Sequence, residues 1–455
     1  GIIGGIVVGM LGASQVSVSG PAAGLTVVVI GAIAQLGSFP AFTLAVFLSG
    51  IIQMGFSLLR MGVVSKFIPG PVIKGMLAAI GIIIVLKQIP HLFGYDSDFV
   101  GDLEFIQPDG RNTFTELYAM LRYLNPTAVL ISFISIAVIM LWDKKLAPKH
   151  KYLKNIPGSI LAVAIAVLVN LLAAKIDWLK NLAPNHLVQL PLNPSPADFT
   201  RHLAAMDFSL LWSKKELWTV ALTIAVIGSI ETLLSLEAAD KIDPQRRIAN
   251  KNRELVAQGT GNMLSGLLGG LPITAVIVRT VTNVNSGGTH RVSAIWHGML
   301  LVIAVFFIPQ LLNHIPLAAL ASILAIVGYK LSSFRIFMDV WKSGREQFIP
   351  FAVTVAAVVL TDIMLGVGIG VLFSVGFILL QNYRKGFYSS LQNGERVIRL
   401  AEDISFIHRP GLSEELRNIP DNSIVTISAE NTHNINHDIA ELIAEFRESA
   451  PLRGI

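Results

Sequence analysis

The 455-residue sequence contains no cysteine. That excludes disulfides, thiolate metal ligands and thiol nucleophiles. Charge is scarce as well: only 14% of residues are Asp, Glu, Lys or Arg, against 53% hydrophobic, with a mean hydropathy of +0.63. A chain this long and this apolar is solvated mostly by lipid, so a set of soluble domains is excluded. No HExxH, Walker or GxGxxG pattern stands in a fitting context, and the 10 histidines are scattered. The sequence therefore offers no catalytic residues and points away from an ATPase or a metal hydrolase. The net charge is +5, but Lys and Arg lie in short clusters between apolar runs. That pattern holds loops in the cytoplasm and is not a nucleic-acid footprint. Gly1 stands inside an apolar run without a signal-peptide pattern, so the native amino terminus is expected upstream.

What is present is a series of apolar stretches suited to a hydrocarbon core of about 30 Å. They fall near 1–14, 40–60, 71–93, 126–142, 158–174, 217–236, 292–312, 315–333, 348–362 and 363–383. Two more, 20–36 and 256–283, are interrupted by Gly, Pro and polar residues: Ser17-Val18-Ser19-Gly20-Pro21 in one and Gly269-Gly270-Leu271-Pro272-Ile273-Thr274 in the other. The basic loops 143–154, 241–253 and 330–345 read as cytoplasmic, and the acidic loop 94–124 as lying on the opposite side. Parity then places the carboxyl terminus in the cytoplasm. The expected location is the plasma membrane, a bacterial inner membrane. Residues 1–385 thus form a transmembrane domain. The charged segment 386–455 reads as a partial α/β domain, with strands over 396–407 and 423–428 and helices over 412–419 and 439–450.

One interrupted segment in each half, each followed by two spans, is the pattern of an inverted-repeat transporter with a midplane binding site. An extended stretch ending in Gly-Pro lets a helix begin inside the membrane, where its first amides lack partners and favour an anion. Helices starting near Pro21 and near Val278 would bring the amides of Ala22, Ala23, Arg279 and Thr280 together, with both positive dipole ends at one ligand. The competing reading is that Gly and Pro only kink packed helices. Arg279 adds a guanidinium suited to an oxyanion, unless it extends to the membrane surface. Glu231 stands in an apolar span, where a carboxylate costs at least about 2.5 kcal/mol unless it is protonated, cation-bound or paired with Arg279. Ser235, one turn later on the same face, could supply a second oxygen to Na⁺. A lone Glu among apolar neighbours favours the proton as coupling ion. Gln88 is read equally as a ligand group and as a helix contact, and Lys87 and His91 as interface anchors.

These residues resemble the sulfate permease (SulP) family of anion transporters. The resemblance is carried by Val18-Ser19-Gly20-Pro21-Ala22-Ala23, by Phe67-Ile68-Pro69 through Val72-Ile73-Lys74-Gly75 to Gln88, and by Asn252-Arg253-Glu254-Leu255 with Gln258-Gly259 and Asn262. It continues through Gly269 to Thr274, Arg279-Thr280 and Ser286-Gly287, and the tail is similar to the first part of the regulatory STAS domain. The resemblance implies an all-α polytopic fold of fourteen segments in two inverted sevens, with core and gate subdomains and dimers. It also implies an anion site between the third and tenth segments, where Pro21 to Ala23 match the start of the third and Val278 to Thr280 the start of the tenth; the substrate site is expected at Ser19, Gly20, Pro21, Ala22 and Ala23 with Val278, Arg279 and Thr280. Glu231 matches the acid of the eighth segment, and with Ser235 it is the pair read above as the place for a coupling H⁺ or Na⁺. A regulatory partner would dock on the STAS-like tail. The family's first segment would lie upstream of Gly1, and the STAS-like domain would continue past Ile455. Relatives carry sulfate, bicarbonate, chloride or dicarboxylates, and some act as channels or exchangers. The expectation is cation-coupled symport of sulfate or bicarbonate by an elevator-like movement.

Overall fold

The structure is a computed structural model that describes residues 1–21, 25–96, 112–146, 149, 156–173, 179, 182–190, 207–383, 386–392 and 394–455. It divides into two compact units, Gly1–Gly370 and Val371–Ile455.

The first unit is helical. Its main elements are α1 (Thr26–Leu36), α2 (Phe39–Leu58), α3 (Gly70–Leu92), α4 (Pro126–Leu141), α5 (Gly158–Ala173), α6 (Lys215–Ile242) and α7 (Lys251–Leu267). They continue with α8 (Ile277–Asn285), α9 (Val292–Phe307), α10 (Leu317–Leu331), α11 (Phe334–Lys342), α12 (Arg345–Leu360) and the start of α13 (Ile363–Tyr383). Capping chemistry fixes several starts. Ser38, Asn125 and Asn250 accept backbone N–H bonds from the first turns of α2, α4 and α7, and Pro40, Pro71 and Pro126 occupy first-turn positions where no intrahelical N–H is needed. Among the described residues, four helices, and the stretch Leu317–Lys342 in which α11 follows α10 after a break at Ser332-Ser333, are long and apolar enough to cross a membrane, and α5, α9 and Ile363–Leu379 are shorter apolar helices. Exposed large apolar side chains such as Phe133, Leu168 and Trp296 are what a lipid-facing surface requires.

Two packing groups make up this unit. In one, α2 lies against α7 and α6, and the short helical stretches Gly4–Val8 and Gly9–Leu11 pack on α7 and α9. In the other, α3 lies against α10 and α12, and α4 packs on α5 and α10. Each group has a glycine crossing. A Cβ on Gly259 of α7 would come within 2.6 Å of the Gly50 carbonyl oxygen of α2, and one on Gly81 of α3 within 2.6 Å of the Gly328 carbonyl oxygen of α10. Only hydrogen fits there, which lets the helices approach closely enough for dispersion to hold them in lipid.

At the end of α3, His91 Nδ1 and, from segment 182–190, His186 Nδ1 each lie 2.5 Å from a different oxygen of Asp96, which follows the helix. That segment is laced in turn to residues before α10, because Val188 N–H donates to the Ile315 carbonyl and Leu190 N–H to Asn313 Oδ1. Lys87 and His91 are both buried, and burial of His91 is made tolerable by its hydrogen bond to Asp96.

The second unit holds a three-stranded sheet, β3 (Phe387–Gln392), β4 (Glu395–Leu400) and β5 (Ile424–Ser428), in the order β3-β4-β5, antiparallel and then parallel. Helices α14 (Arg409–Arg417) and α15 (His437–Ser449) complete it, with Ile398, Leu412, Leu416 and Ile439 in the core. The expected strand over 396–407 stops at Leu400, and a chain turn, the two-residue strand Asp403–Ile404 and a 3₁₀ turn follow it. β3 was not foreseen, since five of its six residues are exposed and its pattern lacks an apolar alternation.

Candidate functional site

The two interrupted segments meet. Ser19–Pro21 (β1) pairs antiparallel with Ile273–Ala275 (β2) in the register Ser19 with Ala275, Gly20 with Thr274 and Pro21 with Ile273. The ladder extends one bond further, from the Val276 N–H to the Val18 carbonyl, 2.9 Å. Pairing satisfies backbone groups that lipid could not, and each strand leads into a helix, α1 after β1 and α8 after β2.

The helix starts refine the expectation. α8 begins at Ile277 with Val276 as its cap, one residue ahead of Val278, and no side chain caps it. The amides of Ile277, Val278 and Arg279 therefore lack intrahelical partners. Thr280 is different: its N–H donates to the Val276 carbonyl at 3.0 Å, because an earlier start makes it the first residue able to close a helical bond. Its hydroxyl also donates to Val276 and accepts from the Val18 N–H at 3.1 Å. The expectation of a free Thr280 amide is thus corrected, and Thr280 ties α8 to the other segment. Pro21 closes β1, paired with Ile273, and the described part of the following helix runs as α1 from Thr26. Ala22 and Ala23 lie outside the described residues.

Ser19 is buried, and its hydroxyl accepts from Gln258 Nε2 at 2.7 Å, so it is engaged by α7. Gly20 faces the Arg279 guanidinium: a methyl group there would collide with Nη1 and lie 3.2 Å from Cζ. Ser19, Gly20, Pro21, Val278, Arg279 and Thr280 are therefore gathered at one crossing. His297 of α9 is within electrostatic reach of Arg279, and its Nδ1 is buried without a partner.

Helix α6 packs on β2 and α8. Thr232 Oγ1 accepts from the Ala275 N–H at 3.3 Å, which holds the turn bearing Glu231 against the crossing. Glu231 Oε2 is buried with no hydrogen-bond partner, and no ion pair among the described residues joins Glu231 to Arg279. Of the three states open to Glu231 in the sequence, the paired one is absent. Ser235, a turn further along, is also buried. Gln88 is buried with Oε1 unpartnered.

A polar support behind the crossing escaped the sequence reading. Asn262 Oδ1 accepts from the Ile273 N–H at 2.5 Å, and its Nδ2 donates to the Ile273 carbonyl and to Gln53 Oε1. Gln53 Nε2 reaches Ser229 Oγ at 3.3 Å. Glu254 Oε2 accepts from the Ala13 N–H at 2.8 Å. The available signal was Gln53 itself, an amide in the apolar run Ile51-Ile52-Gln53-Met54. A cleft of about 660 Å³ lined by Tyr95, Asp96, Tyr123 and His186 lies elsewhere and holds none of these residues.

Crossed, interrupted segments of this kind define a membrane transporter. The sulfate permease family matches residues 1–354, and the chain belongs to that family. It is 30% identical over 380 residues to YvdB of Bacillus subtilis, covering 83% of this chain and 67% of that protein. It is 29% identical over 386 residues to the bicarbonate transporter BicA of Synechocystis, covering 82% and 63%, and 25% identical over 402 residues to the sodium-independent sulfate anion transporter of Bos taurus, covering 83% and 63%. The chain thus spans about two-thirds of the length of these relatives. Among solved structures, the transmembrane domain of a cyanobacterial BicA matches with a TM-score of 0.52 at 24% identity, covering 82% of this chain and 88% of that one. The murine anion transporter Slc26a9 in its inward-facing state matches with a TM-score of 0.66 at 14% identity, covering 100% and 79%. These likenesses carry the fold: a mostly helical transporter fold, with C-terminal small sheets that fit a STAS-like domain.

Proposed function

We propose that the protein is a secondary active transporter of a small inorganic oxyanion, sulfate or bicarbonate, coupled to H⁺ or Na⁺ and working by an elevator-like movement. One observation carries the reading: α8 opens with the amides of Ile277, Val278 and Arg279 lacking intrahelical partners, and the Arg279 guanidinium of the same turn stands beside Gly20. Among the described residues no ion pair engages that guanidinium, so positive and donor groups are gathered for an anion. The anion binds across Ser19 to Ala23 and Val278 to Thr280, with Arg279 as its charged contact. The relatives do not select the anion: one named above is a bicarbonate transporter and another a sulfate anion transporter. The two packing groups of the helical unit suit a core that slides against a gate. A dimer, a cytoplasmic carboxyl terminus in a bacterial inner membrane and a partner on the STAS-like tail belong to the same reading.

Glu231 favours coupling over a passive channel, an anion exchanger or an uncoupled dicarboxylate carrier, because an unpaired buried carboxylate needs a cation or a proton. The proton is preferred, since Glu231 and Ser235 alone offer too few oxygens to define a Na⁺ site. The test is uptake into proteoliposomes over a panel of sulfate, bicarbonate, chloride and dicarboxylate, with and without imposed H⁺ and Na⁺ gradients. Accumulation of sulfate or bicarbonate above equilibrium under an H⁺ gradient is the expected result. Equilibration that ignores both gradients would establish a channel or exchanger.

A further inference from the structure

Helix α11 is nine residues long, too short to span a bilayer, and its sequence sorts into three faces. One points inward. Val340 is buried and clusters with Ala78 of α3 and Phe351 of α12, and the rings of Phe337 and Phe351 meet edge to face with centroids 5.2 Å apart. A second face, made of Phe334, Met338 and Trp341, is apolar and open, with Phe334 76% and Trp341 60% exposed. Trp341 keeps one edge on Phe348, 4.6 Å between centroids, so its ring is held outward by packing. The third face carries exposed Arg335 and Lys342 directly beside the open apolar face, with Asp339 beyond them. Exposed Lys330 and Arg345 flank the helix, and none of these four cations forms an ion pair among the described residues.

We propose that α11 is an interfacial helix whose Phe334, Met338 and Trp341 enter the boundary between headgroups and acyl chains, while Arg335 and Lys342 bind the phosphodiester of an anionic phospholipid of the phosphatidylglycerol type. The proposal rests on the membrane-embedded reading above and not on the identity of the transported anion. Open aromatics next to unpaired cations are what such a helix needs: apolar area supplies insertion, and charge selects the headgroup. A guanidinium and an ammonium on one edge complement a phosphodiester. A zwitterionic headgroup offers the same phosphate but brings its own ammonium, which competes with both side chains. Because the opposite face of α11 is locked onto α3 and α12, the bound lipid is fastened to helices of one packing group.

The test uses the full chain in nanodiscs containing a minority of brominated phosphatidylglycerol or, at the same fraction, brominated phosphatidylcholine. The Trp341 signal is taken as the fluorescence difference between the parent and Trp341→Phe. Quenching by the anionic lipid is expected to exceed that by the zwitterionic one, reflecting local enrichment of about fivefold per cation. In Arg335→Gln/Lys342→Gln the two lipids should quench alike, and in the charge-keeping swap Arg335→Lys/Lys342→Arg the preference should persist. No quenching by either lipid, equal quenching in the parent, or a preference that survives loss of both charges would each overturn the proposal. If the double-glutamine variant does not fold, Arg335→Gln alone must reduce the preference. The measurement needs no transport, so its failure leaves the transport reading standing, and the reverse holds.

Discussion

The Arg279 guanidinium lies against the α-carbon of Gly20, so closely that a methyl group on Gly20 would overlap Nη1. The two residues are 259 apart in sequence, and β1–β2 pairing brings them together: Gly20 faces Thr274, and β2 leads directly into the helix that bears Arg279. The arginine is thereby held beside the unpartnered amides of α8 by the absence of a side chain in the other half of the molecule.

Gly20→Ala tests that relationship. The atom in the way is the free end of a flexible side chain, and an extended backbone at this position accepts alanine, so the fold should survive with little change in thermal midpoint. Arg279 must move, however, and half-saturation for the transported anion is expected to rise about tenfold, the effect of weakening one charge-assisted contact by roughly 1.4 kcal/mol. Uptake kinetics and a thermal melt on the same preparation check both halves. An unchanged half-saturation with an intact fold would remove Arg279 from the anion site.

Arg279→Ala deletes the contact outright and should weaken anion binding by about 1.5–3 kcal/mol. Arg279→Lys restores the charge without the planar fork, so partial recovery is expected. Titration of detergent-solubilised protein with sulfate and bicarbonate, followed by calorimetry, measures both. Full recovery by lysine would show that charge alone matters. No loss in the alanine variant would show that the arginine only anchors its helix.

A pH dependence follows from Asp96. Burial opposes its charge, but hydrogen bonds from His186 and His91 outweigh that and hold the carboxyl below its ordinary range. A carboxyl with a lowered folded-state pKa contributes stability that is fully present above the unfolded value, about 3.9, and is lost as pH falls through the folded one. The thermal midpoint of the parent should therefore fall more steeply between about pH 5 and 3 than that of Asp96→Asn, whose midpoint is lower at neutral pH. Parallel curves would mean that the His91–Asp96–His186 link adds nothing to stability.

Much of this was legible in the sequence because lipid leaves the backbone few options. Gly20-Pro21 and Gly269 to Pro272 interrupt apolar runs, and a chain that cannot stay helical in the membrane must satisfy its backbone elsewhere, as the β1–β2 pair does. The start of α8 was placed to within one residue for the same reason. The β1–β2 register was hidden, since three residues per strand carry no pattern, and so were the amide contacts of Gln53 and Asn262, which depend on distant partners. Thr280 looked like a free donor because one residue of error in a helix start decides whether an amide is bonded. In the tail, Asn393-Gly394 is a hairpin signal that could have revealed β3, and Gly394 has the positive φ of +87° that such turns demand.

Coupling is the last prediction, and it turns on Glu231. Its Oε2 is buried without a hydrogen-bond partner and no described ion pair reaches it, so the ionised form is costly there unless a cation arrives. Protonation or Na⁺ removes that cost and also removes a negative charge from the helix packed against β2 and α8, where the anion is proposed to bind. Cation and anion should then bind cooperatively, and reciprocity requires each to tighten the other by the same factor. Glu231→Gln imitates the protonated state permanently. It should bind anion at least as well as the parent at neutral pH and should exchange labelled anion for unlabelled anion. It should fail to concentrate anion when an H⁺ or Na⁺ gradient is imposed. Counterflow and gradient-driven uptake measured in the same proteoliposomes separate these outcomes. If the variant concentrates anion as the parent does, the coupling site lies elsewhere and the unpaired carboxylate has another purpose. If counterflow is lost as well, Glu231 is needed for the movement itself and not only for loading the cation.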